Sequence, residues 1–93
     1  MVIGILKMDI CLPHLHSLKD KRKVLKSLMA KLRQKFNISV AETGGQNKWQ
    51  RSSISVVLTC NDSGFAHQVL EGVVREVENT IEGFLVKYEI EII

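Results

Sequence analysis

Long uncharged hydrophobic runs are missing from this 93-residue sequence, and the longest near its start, Met1 to Leu6, is cut by Lys7. A run that short neither spans a bilayer nor has the layout of a secretion signal, so a cytoplasmic protein with no membrane partner is expected. Cysteine is scarce: Cys11 and Cys60 stand far apart with no C-x-x-C. That excludes a disulfide framework and a zinc ribbon and points to two reduced thiols. The single proline and the lack of any low-complexity tract exclude long disordered stretches. Gly44-Gly45, the only glycine pair, has no Lys-Ser/Thr after it, so it reads as a turn and not a phosphate cradle. Aromatic residues make up only 5% of the chain, and the strands lack the aromatic pattern of an RNA-recognition motif. No paired carboxylates, metal-ligand spacing or nucleophile with an evident base is present, and no catalytic residue, metal or cofactor is assigned.

Acidic residues are also few in the first half. Residues 1 to 51 carry 11 Lys and Arg against 3 Asp and Glu, a net +8, whereas residues 52 to 93 carry 2 against 7, a net −5. The overall +3 hides this polarity, which suits a polyanion partner or the pairing of opposite faces. With 45% apolar and 25% charged residues, the chain is long enough for one core and too short for two ordinary domains, so residues 1–93 form a single expected domain.

From Val2 to Leu12 the residues Leu6, Met8, Ile10 and Leu12 alternate with Lys7, Asp9 and Cys11, the period-two mark of a half-buried strand. Pro13 ends it. Ser17, three residues before Asp20, offers a variant capping box, and Leu18, Leu25, Leu28, Met29, Leu32 and Phe36 follow at helical spacing, with Asn37 as a left-handed stop. A strand from Ile38 to Glu42, a flexible hairpin loop from Thr43 to Lys48 and a strand from Trp49 to Cys60 come next, the last with Ile54, Val56, Leu58 and Cys60 inward. Asn61 and Asp62 cap a second helix that carries Ala66, Val69, Leu70, Val73, Val77 and Ile81 inward and stops at Gly83. Phe84 to Ile92 alternates as a final strand. This order predicts an α+β, β-α-β-β-α-β chain with four antiparallel strands and two helices on one face.

The other sheet face is then uncovered. By parity it carries Ile3, Ile5, Lys7, Asp9 and Cys11, then Trp49, Arg51, Ser53, Ser55, Val57 and Thr59, and finally Leu85 with Lys87. Ile3, Ile5, Trp49, Val57 and Leu85 are the candidate contacts of a homodimer or higher oligomer. The same parity puts Cys11 on the open face and Cys60 in the core, with the sheet between the two thiols.

The first helix holds eight basic residues from Lys19 to Lys35 against one acid, Asp20. At about 100° per residue, Lys19, Arg22, Lys23, Lys26 and Arg33 fall within an arc of roughly 100° beside the apolar stripe. Lys31 and Lys35 fall on the other flank. Lys21 falls near the apolar stripe itself, where its stem must snorkel. Cations in a first helical turn oppose the helix dipole, so two readings stand. One is a phosphate site at the helix start bordered by His16, Ser17 and Lys19; the other is a solvated charged face. His14 and His16 read as turn residues, since no ligand spacing links them to Cys11 or His67.

The segment His16-Ser17-Leu18-Lys19-Asp20-Lys21-Arg22-Lys23-Val24-Leu25-Lys26-Ser27-Leu28, together with Phe36 to Glu42, Trp49-Gln50-Arg51 and Asn61-Asp62, resembles the YlxP-like family of small bacterial proteins, a domain family of unknown function. The similarity covers essentially the whole chain. It implies a ferredoxin-like fold and no established activity. Genes of that family lie near those for a translation initiation factor and a ribosome-binding factor, which implies RNA or the ribosome as partner. Family members often carry an acid and a histidine where this chain has Gly44-Gly45, so no site is carried over to that loop. The resulting expectation is a non-enzymatic accessory factor that holds RNA phosphates through Lys19, Arg22, Lys23, Lys26 and Arg33. Self-association through the open sheet is the second hypothesis, and a small-molecule phosphate enzyme the third.

Overall fold

The alternation that opens the chain builds its central strand. In the computed structural model, which describes residues 1–93, β1 runs Val2–Cys11 with Leu6, Met8 and Ile10 buried beneath the helices. Helix α1 (Leu18–Lys35) starts where Ser17 accepts the Asp20 N–H on its hydroxyl, one of the orphan donors of a first turn satisfied by its cap. β2 (Ser39–Gly44) and β3 (Arg51–Cys60) form a hairpin, α2 (Ser63–Thr80) is capped by Asp62 through the Phe65 N–H, and β4 (Phe84–Ile92) closes the chain.

The four strands form one antiparallel sheet in the order β2-β3-β1-β4, so two β-α-β units interleave as in a ferredoxin-like α+β fold. Helix α1 packs over β2, and α2 over β1 and β4. Seventeen apolar residues make a single buried cluster between helices and sheet, among them Leu6, Ile54, Val56, Leu25, Leu32, Leu70 and Val77.

Two register shifts interrupt the sheet, and the first resets the parity read from the sequence. Opposite β4 the pairing steps between Asp9 and Ile10, from Asp9↔Lys87 to Ile10↔Leu85. The extra residue, Val86, is the bulge. Leu85 therefore turns to the core side and packs against the buried cluster, and Phe84 takes the open face beside Cys11. Leu85 is thus removed from the open-face interface assigned to it. Opposite β3 a second shift lies just beyond Glu42, between it and Gly44, so Glu42 keeps the helix-facing parity it shares with Val40.

Neither helix ends on a left-handed residue. Phe36 and Ile81, both extended, are the C-caps, and Gly45, at φ 72°, is the one residue with positive φ. Asn37 and Gly83 are consequently not helix stops of the kind expected. Gly83 has a different role: a Cβ there would lie 2.3 Å from the Cys11 carbonyl oxygen, so only glycine lets the chain pass that close to β1. Cys60 pairs across from Val2 and Cys11 from Arg51, so the thiols sit at opposite ends of β1, about 30 Å apart at the strand rise. Cys60 is only half-buried and donates its thiol to the Asp62 carbonyl.

Candidate functional site

Position 21 falls on the apolar seam of α1, four residues before Leu25 and seven before Leu28, and helical geometry aims all three at the sheet. The lysine there does not snorkel to water. Its side chain is 1% exposed and its ammonium lies 2.8 Å from Glu42 Oε2. It also donates to the Lys48 carbonyl at 2.5 Å and to the Gly45 carbonyl. Ser52 donates to the same Glu42 oxygen at 2.7 Å, so the buried charge is paired and its donors are used. Plain alternation makes this possible, because Glu42 shares the inward parity of Val40, the two lying opposite Ile54 and Val56.

The hairpin loop expected to be flexible is therefore fastened to the first turn of α1. Gln50 adds a second fastening: its side-chain amide donates to the carbonyls of Pro13 and Leu15, and its carbonyl accepts from Leu12 N–H. Residues 48 and 50 are both held, and Trp49 between them stays 49% exposed. Trp49 belongs to this loop, ahead of β3, and not to the open sheet face where alternation places it. The sequence holds a signal for the clamp in the inward parity of Val40 and Glu42 together with the in-seam Lys21.

Around the clamped corner the cations divide into paired and unpaired. Lys21, Lys35 and Lys87 meet Glu42, Glu76 and Asp9. Lys19, Arg22, Lys23 and Lys26 are exposed and meet no carboxylate within 4 Å. Arg33 donates to the Val40 carbonyl at 3.0 Å, which ties it to the edge of β2. Lys23 borders the groove between the helices with Lys31, Thr80 and Glu82, so the stripe wraps from the β2 side over the crest of α1. At the helix start Ser17 Oγ is engaged by Asp20 N–H, the Lys21 N–H reaches the Ser17 carbonyl, and the N–H groups of Leu18 and Lys19 have no intramolecular acceptor. His16 is exposed beside them. His14 stands 3.5 Å from Glu82.

The open sheet face is apolar at one end and polar in the middle. Ile3, Ile5 and Val57 adjoin, with Ile5 and Val57 directly paired. Next to them Ser53 donates to Asp9 at 2.7 Å, Thr43 and Ser55 share a hydrogen bond of 2.6 Å, and Lys87 lies 3.7 Å from Asp9. Of the five candidate interface residues, the fold thus gathers Ile3, Ile5 and Val57, sets Trp49 apart in the loop and sends Leu85 to the core. No three His, Cys, Asp or Glu side chains come together in a group fit to hold a metal ion, and no helix is long and apolar enough to cross a membrane.

The family profile described as "Protein of unknown function (DUF503)" matches residues 3–90. The uncharacterized protein YlxP of Bacillus subtilis (strain 168) is 31% identical over 86 residues, covering 86% of this chain and 94% of that protein. Among solved structures, a point mutant of SnoaB, a cofactor-independent oxygenase from Streptomyces nogalater, is similar at TM-score 0.52 with 10% identity, covering 99% of this chain and 90% of that one. The de novo designed protein Ferredog-Diesel is similar at TM-score 0.50 with 9% identity, over 96% and 83% of the two chains. At such identities the two structures speak for the fold alone.

Proposed function

Since the chain belongs to the DUF503 family, whose description names no activity, we propose from its own surface that it is a non-enzymatic accessory protein that binds the phosphate backbone of structured RNA through α1, with ribosomal RNA the first partner to test. The observation that carries this reading is the set of four exposed cations, Lys19, Arg22, Lys23 and Lys26, with no acidic partner. Repulsion among them works against the isolated fold, and a phosphate backbone relieves it by releasing counterions. Arg33 lies at the margin of the surface because its guanidinium already serves Val40. His16, Ser17 and Lys19 border the free N–H groups of the helix start, where one phosphate adds to the contact. Charge reversal at Lys23 and Lys26 together should weaken RNA binding and reduce the slope of log K against log salt by about 2, roughly 1 for each lost contact. An unchanged affinity and slope in a folded double variant would refute the surface.

A second reading, self-association through the open sheet, is favoured by the contiguous Ile3, Ile5 and Val57, the last 40% exposed. Ile5→Lys should lower the mass seen by light scattering without touching RNA affinity. An identical mass in the variant would count against it.

A further inference from the structure

An exposed tryptophan in a loop held on both sides calls for an explanation. Lys48 is fixed by its carbonyl to the buried ammonium of Lys21, and Gln50 by three hydrogen bonds to residues 12–15. The loop backbone is thus ordered without help from the indole, which keeps half its surface in water. The two cationic side chains that flank it in the chain, Lys48 in the loop and Arg51 at the start of β3, are exposed and meet no carboxylate within 4 Å. The same clamp joins the loop to the turn of α1 that carries Lys19 and Arg22.

We propose that Trp49 is a stacking platform for one unpaired RNA base, with Lys48 and Arg51 taking the phosphates on either side of that nucleotide. The inference rests on the phosphate-backbone reading and adds to it a preference for strands with an accessible base. The charge favours a polyanion, the flat apolar ring favours a base face, and a loop ordered in advance loses little entropy when it engages. A base inside a duplex keeps its faces covered by its neighbours, so single-stranded segments, bulges and loops are the partners this corner fits.

Trp49 is the only tryptophan, so its fluorescence reports the site directly. The full chain is titrated with a single-stranded 12-nucleotide adenylate, with the same strand in a duplex, and with heparin, binding being followed separately by anisotropy of labelled ligands. The single strand should quench the indole, while the duplex and heparin bind without quenching. Trp49→Leu should lower single-strand affinity about tenfold and leave duplex affinity unchanged, with Trp49→Phe in between. Circular dichroism identical to that of the parent chain establishes that the variants are folded, as a half-exposed side chain predicts. Binding of all three ligands with no quenching, or an affinity indifferent to Trp49→Leu, would overturn the stacking platform and leave the phosphate surface standing. Absence of binding to any RNA would overturn both.

Discussion

Replacing Lys21 by methionine keeps most of the length of the side chain and removes its charge. The change leaves the Glu42 carboxylate, 17% exposed, without its counter-ion, and strips the carbonyls of Gly45 and Lys48 of their donor. Breaking a buried ion pair from one side costs about 3–5 kcal/mol, and the thioether regains part of that through apolar contact with the seam of α1. A net loss of about 3 kcal/mol is expected, a large share of the roughly 5–14 kcal/mol available to a chain of this size. With an unfolding entropy near 0.2 kcal/mol/K for about 90 residues, that corresponds to a fall in Tm of about 15 °C. Urea unfolding followed by circular dichroism gives the free energy directly. The double variant Lys21→Met, Glu42→Leu should regain most of the loss, because neither half is then left charged in the interior. The loop should loosen in both variants, since the carbonyls of residues 45 and 48 lose their donor either way, and Trp49 anisotropy should drop. A single variant costing under about 1 kcal/mol, or a double variant as unstable as the single one, would refute the claim that this ammonium holds the corner together.

The bulge in β4 makes position 85 a core position: Leu85→Lys should cost about 1–2 kcal/mol in urea unfolding, and Ile5→Lys on the open face far less. Equal costs would return the strand to unbroken alternation. Gly83→Ala should destabilise by about 1–3 kcal/mol, read from the same unfolding midpoint, because the new methyl meets the Cys11 carbonyl. A neutral result would show that the 81–84 turn has room to shift. The Glu76 carboxyl is held below its ordinary range chiefly by the hydrogen bond from Lys35 and then by that from Thr80. A lowered pKa stabilises the fold above the ordinary carboxylate range and ceases to do so as pH falls through the lowered value. Glu76→Gln should therefore be less stable than the parent at pH 7 and converge with it in acid; a gap independent of pH would contradict the pairing.

Most of the fold is legible in the sequence because it depends on local periods. Alternation from Leu6 to Leu12, the helical spacing of Leu25, Leu28 and Leu32, and the caps Ser17 and Asp62 each report on neighbours a few residues away. What eludes the sequence depends on pairing between distant strands. A bulge inserts one residue with no signature in composition, so alternation assigns Leu85 to the wrong face, and the expected strand limits set Trp49 in β3 when it lies two residues before it. Lys21 and Glu42 each fall on the inward side by spacing alone, but that the two meet depends on how α1 lies over β2, which no local period reports. The unpaired cations are visible as a dense run; which of them the acids of α2 and the sheet neutralise is not.

The strand order also decides what the protein presents at short range. With α1 over β2 and α2 over β1 and β4, the basic helix lies toward the β2 edge, and Glu89 and Glu91 of β4 lie along the other. Three interstrand steps of about 4.8 Å put some 14 Å between those edges, more than the ionic atmosphere transmits at about 8 Å in physiological salt. An anionic surface meeting the β2 side therefore senses the unpaired cations of α1 and little of Glu89 and Glu91 on the far strand. The molecule is turned with α1 foremost as it arrives, and the modest overall charge is a poor guide to how it docks.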